Sequence, residues 1–245
     1  MGRAWTWRGV WVAALVVALV GAAWAGEAFE GKMSFEMTAK QAGGQPMKMD
    51  YTVKKNAIRM DMKMAGMENY TLIFPAEKKM CTVMPAQKMV MEMAIPDAPP
   101  VGVEVKKPEI AKTGKTDKIA FKSEGTVLTL VKADEAGAKT YDAEQWQVKM
   151  EKMTSELWVA KDFAPLAGFG EAFKSMQKNP SMAWADAANM GGFPYKIVTK
   201  DAEGNVVSEM TLVSVDTKSP DEALFKVPED YKKMEMPKMP APAKE

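Results

Sequence analysis

The feature that most restricts how this chain can fold is an apolar and polar alternation running almost unbroken from Phe29 to Ala94. Successive side chains of an extended strand point to opposite faces, so a period of two builds a sheet with one apolar face. Phe29, Gly31, Met33, Phe35 and Met37 alternate with Glu30, Lys32, Ser34, Glu36 and Thr38, and Gly43-Gly44 then offers a turn. Met47, Met49, Tyr51 and Val53 share the next apolar side, and Lys55-Asn56 turns the chain. Ile58, Met60, Met62 and Met64 line the return strand, with Arg59, Asp61 and Lys63 on its other face. Residues 70–74, 80–84 and 88–94 continue the meander, and Pro75, Pro85 and Pro96 fall at strand ends, where a missing N–H costs no ladder bond. Five or six strands fit this stretch.

Residues 95–117, rich in Pro, Lys and Val, read as an extended crossing connection. Strands resume at 119–121, 126–132, 144–150 and 155–161, with Gly125 and Gly137 at turns. The stretch 163–190 differs in kind. Leu166, Phe169, Phe173 and Met176 recur at near-helical spacing and alanines crowd 182–188, which predicts one or two helices. After Gly191-Gly192, residues 195–200 and 206–215 read as a hairpin turning through 201–205. Ser219-Pro220-Asp221-Glu222 is a helix-start signature with Ser219 as cap, predicting a single turn. The tail beyond Tyr231 is Lys, Met, Pro and Ala, too poor in apolar bulk to order itself.

The N-terminus carries Arg3 and Arg8, an apolar run over 10–20, and Ala23-Trp24-Ala25, which together read as a secretory signal cut after Ala25. The expected organisation is a signal peptide over 1–25, one domain over 26–233 and a disordered tail over 234–245, in the periplasm or outside the cell. The apolar run is shorter than the ~20 residues that span a bilayer, and no second run follows, so no transmembrane segment is expected after cleavage. Removing two arginines leaves 31 basic against 32 acidic residues, scattered rather than striped, which argues against a nucleic-acid partner. One cysteine, Cys81, forms no intramolecular disulfide and cannot be lipidated at the cleavage point. There is no histidine, which removes Ser-His triads, histidine zinc sites and histidine-ligated haem, so no cofactor and no enzymatic activity are expected.

Methionine is the unusual component, at 23 residues with 13 of them between Met33 and Met93. Residues i and i+2 of a strand lie ~7 Å apart on one side, so neighbouring strands would assemble one thioether surface. Three readings stay open: flexible filling of an ordinary core, a ligand cavity that repacks around apolar partners, and soft-metal binding of Cu(I) or Ag(I). For metal, Met234, Met236 and Met239 in the tail are the freer donors, against their reading as a solvated low-complexity end. Thr113-Gly114-Lys115-Thr116 resembles the end of a phosphate loop, but Glu109 stands where the first glycine is needed, so a turn is expected. Cys81 has no histidine to activate it and reads as structural. Trp146 and Trp158 could edge a pocket or simply anchor a sheet. No Asp or Glu is singled out as a catalytic acid.

Several segments together carry a family resemblance. The start Phe29-Glu30-Gly31-Lys32-Met33, the block from Leu72-Ile73-Phe74-Pro75 to Met84, Thr113-Gly114-Lys115-Thr116, Glu156-Leu157-Trp158-Val159-Ala160, Gly192-Phe193-Pro194 and the ending from Leu224 to Tyr231 resemble an exported bacterial domain-of-unknown-function family, DUF4412. That family in turn resembles the periplasmic lipoprotein carriers, LolA and LolB. The pattern departs in lacking a Gly-Tyr-x-Cys segment after the Thr-Gly-Lys block, where Ile119-Ala120-Phe121-Lys122 runs on instead. The carriers' buried arginine finds no equivalent role, because Arg59 sits on the face opposite the methionines. What the resemblance implies is a mainly β, α+β fold: a curved antiparallel sheet forming an unclosed half-barrel with one or two helices on its concave side. On that fold the expected ligand-binding residues are Met33, Phe35, Met49, Met60, Met62, Met64, Met89, Met91, Met93 and Trp158. The expected partner is a lipid, acyl chain or apolar peptide; the alternatives are a Met-rich Cu(I)/Ag(I) protein and an envelope assembly protein pairing through an open sheet edge.

Overall fold

The structure is a computed structural model that describes residues 29–40, 44–55, 57–64, 67–95, 108–150, 152–166, 190 and 192–235. The alternation of the first half becomes six strands joined as a meander: β1 (Gly31–Ala39), β2 (Pro46–Lys54), β3 (Ala57–Met64), β4 (Met67–Phe74), β5 (Lys79–Met84) and β6 (Met89–Ala94). The β4–β5 and β5–β6 turns are built alike. Pro75–Glu77 and Pro85–Gln87 each form one 3-10 turn, and Lys78 and Lys88 follow in the left-handed conformation at φ 50° and 48°. The fixed φ of proline starts each turn, and each lysine N–H closes it by donating to the proline carbonyl. The other strands are β7 (Glu109–Glu124), β8 (Val127–Val131), β9 (Ala138–Met150), β10 (Met153–Lys161), β11 (Gly192–Asp201), β12 (Val206–Asp216) and β13 (Lys232–Glu235). Their order in the one sheet is β11-β10-β9-β7-β8-β12-β1-β2-β3-β4-β5-β6-β13, antiparallel except that β13 runs parallel to β6.

An additional pairing of β11 with β12 overturns the expectation of an unclosed half-barrel. Thr211 stands opposite both Glu36 and Lys196, and Ser214 opposite both Ser34 and Thr129. Thus β11 and β8 lie end to end along one flank of β12, β1 takes the other, and six strands (β7 to β12) close on themselves. The physical reason is length and bulging. β7 is 16 residues long where a crossing connection was expected, and residues 113–115 leave the β7–β9 ladder, with Gly114 at φ 80°. A bulge bends its strand and increases the twist, which carries β8 round to β12. Further register shifts fall at Trp158/Val159 and Thr199/Lys200. No α-helix occurs among the described residues, only short 3-10 turns, and residues 167–189, where the helices were expected, lie outside them. Residues 1–28, which include the expected signal peptide over 1–25, and the tail from 236 on are likewise outside the described residues.

One core joins ring and meander. In the ring, Phe121 meets Phe163 at 4.7 Å between centroids and Tyr141 meets Phe163 edge-on at 4.9 Å. A second, smaller core of Leu72, Cys81, Val83 and Val90 lies on the other face of β4–β6, covered by Val227 and Tyr231. The segment that covers it is a strap returning from β12. Asp221, not Ser219, caps its 3-10 turn at Glu222–Phe225, accepting from the Ala223 N–H at 2.8 Å, while Ser219 Oγ donates to Glu30. Lys54 Nζ donates to Pro220 O, and Arg59 donates to Leu224 O at 3.0 Å. The strap ends as β13, where Lys232–Glu235 line the edge of β6, so ordered chain extends to residue 235. At the other end, β7 is exposed over 111–118, and β8 pairs only with its residues 120–124.

Candidate functional site

Residues directly opposite one another across a ladder point to the same face, so the register alone defines the methionine surface. One row runs Met33, Tyr51, Met60, Thr71, Thr82 and Met91 across β1 to β6. A second runs Phe35, Met49, Met62 and Asn69, and a third Val53, Ile58, Ile73, Met80 and Met93. Met84 and Met89 face each other at the β5–β6 end. The alternation puts these side chains together because each hairpin keeps its register without a slip.

The rows grade from closed to open. Met33 and Phe35 are fully buried and Met49 and Met60 nearly so, whereas Met62, Met80, Met89, Met91 and Met93 are half-buried. Met64 closes β3 with its backbone opposite Met67. Trp158, on β10 opposite Gln145 and Lys196, is half-buried and packs against the same core. Its neighbour Trp146 continues the apolar face, in the row Met37, Met210, Ile197, Leu157, Trp146.

The polar face is laced with cross-strand pairs. Arg59 clamps Asp61 through both Nε and Nη2, at 2.7–3.1 Å, and its guanidinium stacks 3.8 Å over the Tyr70 ring. Burial works against the Asp50 charge, yet hydrogen bonds from Lys32 and Ser34 hold its carboxyl below the usual value. Near Trp146, Lys112 and Lys161 both pair with Glu144 and lower its pKa by hydrogen bonding. Thr113 donates to Gln145, whose amide donates to Glu156, which also pairs with Lys200. Thr113-Gly114-Lys115-Thr116 is therefore a bulge fastened to a polar network. Cys81 is buried in the second core, and burial pushes its thiol pKa up, away from nucleophilic use.

Among the described residues no group of three or more Cys, Asp or Glu is arranged to hold a metal ion, and no helix is long and apolar enough to cross a membrane. The arrangement offers apolar contact and thioether sulfur. Tyr51 is absent from the expected site residues, although its parity between Met49 and Val53 already places it on the methionine face.

The fold is similar to several solved structures at low identity. An uncharacterized conserved protein from Thermus thermophilus is 11% identical with a TM-score of 0.49, covering 92% of this chain and 99% of its own. The MucA/MucB complex of Pseudomonas aeruginosa is 11% identical with a TM-score of 0.41, over 91% of this chain and 62% of that one. A LolA superfamily protein from Nitrosomonas europaea is 9% identical with a TM-score of 0.38, over 88% and 97%. No curated protein matches the chain in sequence. A family model spans residues 29–231, and the chain belongs to that family, described as Domain of unknown function (DUF4412).

Proposed function

We propose that this chain is an exported, non-enzymatic binding protein that holds a hydrophobic ligand, a lipid or other acyl compound or an apolar peptide, on the methionine face of β1–β6. The observation that supports this reading is the graded set of rows: thioethers from five of the six meander strands share one face, buried at β1 and half-open at β6. Removing apolar surface from water is worth ~25 cal/mol per Å², so an extended face of this kind binds without many directional contacts. Methionine suits the task because its unbranched side chain adapts to partners of varied shape. The signal-like N-terminus supports export, and the lack of histidine supports a non-enzymatic role. Native mass spectrometry of protein purified from its own cell envelope tests the reading, with bound lipid as the expected result. Ligand-free protein that also ignores hydrophobic dyes would end it.

A second reading, capture of Cu(I) or Ag(I), is favoured by one observation: Met80 faces Met93 and Met84 faces Met89 across β5–β6. Such pairs bring two soft sulfurs together at Cβ separations of about 5 Å. Titration with Cu(I) under reducing conditions decides this, because affinity no better than that of free methionine removes it.

A further inference from the structure

Tyr51 lies at the centre of the closed end of the methionine face, between Met33 and Met60 across the ladder, with its ring edge-on to Phe35 at 5.6 Å. It is 3% exposed, and its hydroxyl is buried without a hydrogen-bond partner among the described residues. Burial raises its pKa above the ordinary tyrosine value, so the group stays a neutral O–H donor. Buried hydroxyls nearly always find a partner, and phenylalanine would fill the same volume without an unmet donor. The two other hydroxyls in this row do not share its condition, since Thr71 and Thr82 bond each other at 3.4 Å.

Trp146 Nε1 is the second unpartnered buried donor among the described residues, on the row that runs through Met37, Met210, Ile197 and Leu157. The remaining unpartnered oxygens belong to Asp50 and Glu144, carboxylates already engaged by Lys32 and by Lys112 and Lys161. What is left over on the apolar face is therefore donors only, and donors call for an acceptor. From Tyr51 on β2 to Met91 on β6 the row crosses four strand spacings, about 19 Å at ~4.8 Å each. An extended acyl chain of ordinary membrane-lipid length covers that span.

We infer that Tyr51 is the polar anchor of this face, and that its ligand is an acyl compound whose carbonyl or carboxyl oxygen accepts a hydrogen bond from the Tyr51 hydroxyl while its chain lies along the row towards Met91. The inference rests on the binding role proposed above and narrows it from any apolar molecule to one carrying an oxygen acceptor. Entry to Tyr51 requires Met33 and Met60 to change rotamer, which their flexible side chains permit.

The test compares wild type and Tyr51→Phe with two fluorescent probes, parinaric acid, a polyene that carries a carboxyl group, and diphenylhexatriene, a hydrocarbon without oxygen. The expected result is an affinity for parinaric acid weakened about three- to tenfold in the variant, unchanged affinity for diphenylhexatriene, and a melting temperature no lower than wild type. Unchanged parinaric acid affinity, or an equal loss for both probes, overturns the anchor while leaving the binding face standing. A melting temperature that falls overturns it too, because the hydroxyl then serves the fold. Wild-type protein that binds neither probe removes the binding face and the anchor together.

Discussion

The closed ring of β7–β12 and the meander of β1–β6 share one core but fill it with different chemistry. Phe121, Tyr141 and Phe163 pack in the ring with defined edge and tilt geometry, on strands interrupted by bulges. The meander pairs without a slip from β1 to β6 and fills its face with methionine. Aromatic rings have few torsions and fix the geometry of what they touch; thioether chains have three and accommodate it. The difference assigns stability to the ring and compliance to the outer meander.

Four measurements break or sharpen that contrast. Phe121→Ala removes the ring that touches both other aromatics and is expected to cost about 3–5 kcal/mol in urea unfolding; a cost under about 1.5 would dissolve the distinction. Within the meander, Met33→Ala is expected to cost about 2–4 kcal/mol and Met91→Ala about 1 or less, because the first is fully buried and the second half-open. Equal costs would mean that the face does not grade outward. Arg59→Ala is expected to cost about 1 kcal/mol and to raise hydrogen exchange over 224–235 before the rest of the chain, since it ties the strap to β3. Uniform exchange would separate the strap from Arg59.

The smallest effect concerns pH. Glu144, with its two lysines, and Asp50 have folded pKa values below their ordinary 4.5 and 3.8. Their contribution is complete above those values and is lost as pH falls through the lowered ones. With no histidine in the chain, the melting temperature is expected to be flat between about pH 6 and 8 and to decline only below about 4.5. A step near pH 6.5 contradicts this.

The meander was legible in the sequence because its contacts are between neighbours: each hairpin is a local event, and alternation sets its register. Ring closure was not. It depends on β7, whose residues 111–118 are exposed on both faces and so alternate nothing, and on three residues bulging at 113–115. β9 hides its role further, since it buries Tyr141, Ala143 and Gln145 and then Val148, changing parity along one strand. A pattern rule that assumes one buried face reads only part of such a strand. β13 was missed for a related reason. Lys232-Lys233-Met234 is exposed, and its strand conformation comes from docking against β6 rather than from its own composition. Of the site, the methionine rows followed from parity, whereas the surroundings of Trp158 depend on a register shift at Trp158/Val159 that alternation does not reveal.

Among the described residues, the two flanks at which this sheet could grow are both awkward templates. One is broken by the Gly114 bulge and studded with Lys112, Lys115 and Lys118; the other is the four-residue β13, opening with two lysines. Bulges and lysines at an edge discourage strand-to-strand recruitment. On the binding role proposed above, such edges leave the methionine face, rather than the backbone, to meet other molecules.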